Sequence, residues 1–169
     1  MNPSTVLDVA LVGTTSAQSP NCDPAIHLGA PGVAAKLSAY ERERSPEALA
    51  ALPLVPGGRL ALFRVQPLTS AGVRVVMAES GARRAQYAVQ LACHSFVDAE
   101  GMEHKAADHG GLQALGKLSL ASDEWLDHLA DRYGHKAVSE LASVILQRAE
   151  AGPSAVAPFG LPLGLMLAR

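Results

Sequence analysis

Acidic and imidazole side chains concentrate in one short stretch of the chain, GMEHKAADHGG at residues 101–111. Glu103, His104, Asp108 and His109 fall within seven residues there, and two imidazoles with a carboxylate are donors that suit zinc or iron. The spacing differs from the H-E-x-x-H pattern of metalloproteases, and glycines stand on both sides. The stretch therefore predicts a solvated polar loop, with a metal site as the alternative.

The other reactive side chains predict no catalytic centre. Cys93 and His94 are neighbours, and neighbours on a helix point about 100° apart, so Cys93 is interpreted as a structural cysteine. The hydroxyl-rich GTTSAQS lacks the second glycine and the lysine of a phosphate-binding loop, and His27 stands alone between apolar residues. Cys22 lies 71 positions from Cys93, which favours two reduced thiols. The sequence thus predicts a protein that is not an enzyme and has no catalytic residues, metal or cofactor.

Composition sets the expected class of fold and partner. The 169 residues suit one domain, and a formal charge of −2 with scattered Lys and Arg predicts no nucleic-acid partner. No long apolar run or positively charged leader is evident, so neither membrane insertion nor secretion is expected. Hydrophobic residues make up 49% of the chain but aromatic residues only 4%, which favours packed helices. The expected fold is mainly α with a small β component (α+β), amphipathic helices surrounding one core.

Local signals divide the chain into three segments. Residues 1–58 carry a short strand near 6–12, a long loop or arm, a helix over about 33–44, and a short helix through Leu52 that Ser45 caps with Pro46 at its first position. Residues 59–152 form the main helical domain, with a strand near 60–68, a helix capped by Thr69 and a stronger helix over 82–96. The VDAEG sequence at 97–101 predicts a hairpin or turn. Residues 153–169 form an apolar C-terminal ribbon.

The stretch 122–152 reads as two amphipathic helices. Ser122 is the expected N-cap of the first, and Gly134 ends it before the second begins. His128 is expected on the solvent face of the first helix, and Glu140 on the solvent face of the second. The residues expected to pack between helices are Trp125, Leu129, Tyr133, Leu141 and Ile145. This pattern favours packing over a reaction centre.

The C-terminal ribbon has one charge in 17 residues, and three prolines prevent a long helix. It either closes the domain's own core or docks on another subunit. Its expected partner-binding residues are Val156, Phe159, Leu161, Leu163, Leu165, Met166 and Leu167.

The order of elements over residues 63–152 resembles the tail-assembly chaperones and related small morphogenesis proteins of tailed bacteriophages. The similar features are the strand LALFRVQPLT, the helix ARRAQYAVQLACHSF, the VDAEG turn and the helix with W-L-x-x-L-A-x-x-Y-G. The resemblance implies a noncatalytic protein that binds the tape-measure protein, the tail-tube subunit or copies of itself in the host cytoplasm. The long N-terminal segment and the apolar ribbon are departures from that family. They are compatible with a connector or baseplate component that is retained in the virion. The alternative is a small metal-dependent enzyme that uses His104 and His109.

Overall fold

The computed structural model describes residues 5–13 and 22–151 and shows the expected α+β fold. Its helices are α1 (Val33–Glu43), α2 (Pro46–Ala50), α3 (Ser70–Met77), α4 (Gly81–Ala92), α5 (Asp123–Tyr133) and α6 (His135–Ala151). Its strands are β1 (Leu7–Val9), β2 (Leu62–Val65), β3 (Cys93–Val97), β4 (Glu103–Lys105), β5 (Leu112–Leu115) and β6 (Leu118–Ala121). Within these residues, no helix combines the length and apolar character that crossing a lipid bilayer requires.

Four short strands form one antiparallel sheet in the order β1-β2-β3-β4. Phe63 on β2 lies opposite Phe96 on β3, and Phe96 lies opposite His104 on β4. Strand β1 belongs to the segment 1–58, whereas β2, β3 and β4 belong to the segment 59–152. The N-terminal segment therefore supplies one edge strand of the sheet. A separate hairpin joins β5 and β6.

Helix starts follow local chemistry. The side-chain oxygens of Ser45, Thr69 and Ser122 each accept a hydrogen bond from the amide three residues later. These bonds satisfy amide groups that have no partner within the helix, and they confirm the three predicted caps. Gly134 adopts φ 92° at the end of α5, as its position in the sequence predicted.

The main core lies between the four-stranded sheet and helices α4, α5 and α6. Phe63 and Phe96 contact one another with ring centroids 5.1 Å apart, and Tyr133 meets both rings edge-on. A smaller second core lies under α1 and contains the buried residues Ala10, Val12, Ile26, Leu37, Tyr40 and Leu52. The residues after β1 therefore contribute to both cores, Leu11 to the main one and Ala10 and Val12 to the second.

The structure corrects the predicted end of the helix over 82–96. Helix α4 ends at Ala92, and the next residues continue as strand β3. In CHSFV, pairing with β2 on one side and β4 on the other outweighs the helical pattern of the preceding residues. The β5 and β6 hairpin was not predicted, although Gly116 at φ 62° forms the turn between its strands.

Three polar residues whose positions in the helical pattern predict a place on the solvent face are buried instead: Arg44, Gln90 and Glu140. The Gln90 amide donates to the Ala121 carbonyl, and the Arg44 guanidinium lies 3.6 Å from the Glu140 carboxylate. Glu140 also accepts hydrogen bonds from the backbone amides of Val12 and Gly13. Each of the three side chains thus meets backbone or charge that only the folded chain brings to it, although the buried Gln90 Oε1 has no hydrogen-bond partner among the described residues.

Candidate metal centre

Three histidine side chains from separate parts of the chain converge beside the four-stranded sheet. His104 lies on β4, His109 follows a 3₁₀ turn at Ala106–Asp108, and His128 lies on α5. One ring nitrogen from each comes within 4.8 Å of the other two. All three are half-buried, so the cluster is shielded but reachable from solvent.

The β3–β4 hairpin positions His104. Asp98 accepts hydrogen bonds from the amides of Glu100 and Met102 at 3.0 and 2.9 Å, and these bonds close the turn. Side chains alternate along a strand, so His104 faces inward while its neighbours on β4 are exposed. Its ring stacks on Phe96 across the sheet at a centroid distance of 4.4 Å.

The start of α5 positions the other two histidines. The Ser122 hydroxyl donates to the His109 carbonyl at 2.6 Å, which ties the 3₁₀ turn to the N-terminus of the helix. Gly110, at φ 86°, lies so close to Ser122 that a Cβ atom would come within 2.2 Å of its hydroxyl oxygen. His109 stacks on His128 with ring centroids 3.9 Å apart. Glycine at this position therefore permits the close approach of turn and helix.

A hydrogen-bonded chain links Asp98, His104 and His128. His104 Nε2 lies 2.7 Å from Asp98 Oδ2, and His104 Nδ1 lies 3.1 Å from His128 Nε2. An ionised carboxylate only accepts hydrogen bonds, so His104 Nε2 carries the proton and donates it. In the neutral ring, Nδ1 then presents its lone pair to His128.

The surroundings of Asp98 and His128 shift the pKa values of both side chains. The hydrogen bond from His104, supported by the Met102 and Glu100 amides, lowers the pKa of Asp98 to about 2. Arg132 adds a contact of 3.1 Å to the same carboxylate oxygen. Burial, with smaller effects from His109, His104 and Arg132, lowers the pKa of His128. Asp98 is thus ionised and His128 is favoured in the neutral form that ligates metals.

The cluster combines ligand chemistry with an apolar wall. Phe96 and Trp125 lie against the imidazoles, with the indole centroid 5.7 Å from His109 and 5.8 Å from His128. Three imidazoles can hold a transition metal, and the Asp98–His104 pair can hold or pass a proton. The arrangement fits a metal centre better than the solvated loop expected from the sequence.

Only two of the four predicted metal donors lie together in the structure. His104 and His109 come together, whereas Glu103 and Asp108 are exposed, and Glu103 pairs with Lys105 instead. His128 was expected on the solvent face, but it completes the cluster. Its spacing of 24 residues from His104 matches no metal motif, so the sequence carries no local signal for its role.

The remaining candidate residues lie elsewhere. The Cys93 thiol is buried and directed to the Ser95 carbonyl, and burial raises the pKa of Cys93 to about 12. The His94 ring instead bonds the Gln90 carbonyl at 2.7 Å, and His27 is exposed. The expected helix-packing residues Trp125, Leu129, Leu141 and Ile145 are buried, and Tyr133 is half-buried against two phenylalanine rings. The predicted ribbon residues at 156–167 lie outside the described residues.

Comparison with known proteins adds no assignment: no protein-family model, curated protein or solved structure matches the chain.

Proposed function

We propose that the protein is a noncatalytic assembly protein of tailed bacteriophages that works through protein interfaces. The supporting observation is the order of elements from β2 to α6. Strand β2, the Arg- and Ala-rich helix α4, the VDAEG turn and the helices α5 and α6 follow one another in the order on which the resemblance rests. Helix α3 and the β5–β6 hairpin stand between these elements, and CHSFV is strand β3 instead of the end of the helix. The proposed partners are the tail-tube subunit and the tape-measure protein.

Strand β5 supplies a surface suited to such a partner. All four of its residues are exposed, and Leu112 and Leu115 keep 46% and 40% of their surface in contact with solvent. Within the described part of the chain, β5 pairs with β6 alone, while β6 packs on α4. An edge strand with exposed leucines can add a strand from another protein through backbone hydrogen bonds. We assign this edge to a strand of a tail protein.

Co-expression tests the proposal directly. The chain is expressed with the tail-tube subunit and the tape-measure protein encoded in the same genome, and the complex is measured by size-exclusion chromatography with light scattering. We expect one of them to co-purify in a fixed ratio, and Leu112→Asp with Leu115→Asp to weaken that complex at least tenfold. Lys117→Asp in the exposed turn of the same hairpin adds a carboxylate outside the strand and serves as the matched control.

A negative result in two measurements would refute the assembly role. If neither tail protein binds, and mass spectrometry finds the chain neither in assembly intermediates nor in purified virions, the assembly role is wrong.

A second candidate function, a small metal-dependent enzyme, is supported by the histidine cluster. Three protein ligands with a remaining position for water are typical of catalytic zinc sites. Turnover of a panel of ester, amide and phosphoester substrates would favour this function if His104→Ala and His128→Ala abolished it. Under the assembly proposal, those substitutions leave binding to the tail protein intact, because β5 lies outside the cluster.

A further inference from the structure

We propose that His104, His109 and His128 bind one divalent transition-metal ion of the zinc class, which fastens the β3–β4 hairpin and the turn after it onto helix α5. This inference is independent of the assembly function, because it concerns the stability of the chain whatever its partner. The ion would connect β4, the turn after it and α5, whose ligand residues span 24 positions with the β5–β6 hairpin between the second ligand and the third.

The spacing of the donor atoms supports this site. His104 Nδ1 and His128 Nε2 are 3.1 Å apart. Two nitrogens bound to a tetrahedral zinc ion, with bonds of about 2.0 to 2.1 Å, lie about 3.3 Å apart. These two ligands are therefore close to their final separation. One donor nitrogen from each of the three rings lies within 4.8 Å of the other two, so His109 has to close at most about 1.5 Å to reach a tetrahedral separation.

The protons can be accommodated without ionising a ring. His104 already carries its proton on Nε2, where Asp98 accepts it, and so offers Nδ1 as a ligand. His128 binds through Nε2 once its proton resides on Nδ1, a change of tautomer that solvent can mediate at this half-buried ring. The ion then replaces the hydrogen bond that links the two imidazoles in its absence.

The residues behind His104 resemble the outer shell of a metal site. A histidine ligand commonly donates its second N–H to a carboxylate, which fixes the ring and raises the basicity of the ligating nitrogen. Asp98 does this here with a side chain only 5% exposed, and it is itself held by two backbone amides and by Arg132. Arg132 and His128 stand four residues apart on α5, so one helix face supplies both a ligand and the cation that holds Asp98. Asp98 is thus a positioning residue.

The donor set selects the class of metal. Imidazole nitrogens suit zinc, copper, nickel and iron, whereas magnesium and calcium prefer oxygen ligands. Three protein ligands leave a fourth position on the half-exposed side of the cluster, where water can bind. Binding to the folded state alone would stabilise the fold in proportion to the logarithm of the free metal concentration.

The test uses the full chain without a histidine tag, stripped of metal by a chelator and titrated with Zn²⁺ against a chromogenic chelator. We expect one ion per chain, and a melting temperature about 5 to 10 °C higher when free zinc is 100-fold above the dissociation constant. His104→Ala and His128→Ala should each weaken binding about 100-fold or more, and Asp98→Asn about 10- to 100-fold. The exposed histidines provide matched controls, because His27→Ala and His135→Ala should leave the affinity unchanged.

Two results would overturn the site. One is wild-type protein that takes up less than one ion per chain at submillimolar zinc, which would leave the cluster a hydrogen-bonded histidine stack. The other is stoichiometric binding that persists in folded His104→Ala and His128→Ala variants. If those variants fail to fold, Co²⁺ bound to the wild-type protein decides the matter. An intense visible spectrum of a tetrahedral nitrogen site supports the proposal, and the weak spectrum of octahedral aqueous cobalt refutes it.

Discussion

Replacing Trp125 with alanine should remove a large part of the stability of this small domain. The indole is fully buried among Phe96 and the histidine rings, and its Nε1 donates to the Cys93 carbonyl at 2.8 Å. A buried aromatic side chain of this size covers roughly 150 to 250 Å², which at about 25 cal/mol per Å² corresponds to about 4 to 6 kcal/mol. Alanine retains part of that burial, so Trp125→Ala should lower the free energy of unfolding by about 3 to 5 kcal/mol.

Urea denaturation followed by helical circular dichroism measures this change without relying on the removed fluorophore. With a slope of about 2 to 3 kcal/mol per molar, the midpoint should fall by about 1 to 2.5 M. Trp125→Phe is the matched control, because a phenyl ring keeps most of the burial and loses chiefly the hydrogen bond to the Cys93 carbonyl. We expect about 1 to 3 kcal/mol for that variant.

A loss below about 1 kcal/mol with an unchanged slope would refute the reasoning, because it would mean that the indole contributes little to the folded core. In that case Trp125 would belong to a partner surface, and the alanine variant should bind its partner more weakly while melting normally.

Three further perturbations have defined outcomes. Glu140→Ala removes an acceptor of two backbone amides and the partner of a buried guanidinium, so it should cost about 3 to 5 kcal/mol in urea denaturation. The matched control is Ser139→Ala at an exposed position of the same helix, which should change stability by less than about 0.5 kcal/mol. If the Glu140 and Ser139 variants lost equal stability, that result would argue against a stabilising role for the buried ion pair. Because burial raises the pKa of Cys93 to about 12, almost no thiolate exists at pH 8, and a Cys22→Ala variant should react with a disulfide reagent only on unfolding. Rapid labelling of the folded variant would contradict that burial. Removing residues 155–169 should leave helical circular dichroism and melting nearly intact while abolishing self-association or partner binding, whereas an unfolded or insoluble product would place the ribbon in the core.

The features that local sequence determined are those whose physical cause acts within one helical turn. Ser122 caps α5 because its hydroxyl reaches the amide of Trp125, and Gly134 ends the helix because it tolerates a positive φ. Neither interaction needs any distant part of the chain. The α+β class and the buried stripe of α5 follow from the same kind of local pattern.

Pairing between distant segments decided the rest. Residues 93–97 leave the helix because β2 and β4 offer backbone partners on both sides, and β2 ends 28 residues earlier in the chain. Glu140 is buried because the segment after β1 brings the amides of Val12 and Gly13 to it from more than 120 positions away. No property of CHSFV or of AVSEL in isolation encodes those contacts.

The histidine cluster shows both contributions. The sequence limits the separation of His104 and His109 to about 17 Å, because five residues of chain span no more than that even when fully extended. His128 joins them only because Ser122 ties the start of α5 to the turn after β4, and because Asp98 and Arg132 hold His104 toward that helix. A site assembled from a hairpin and a helix depends on the angle between them, and packing in the shared core sets that angle.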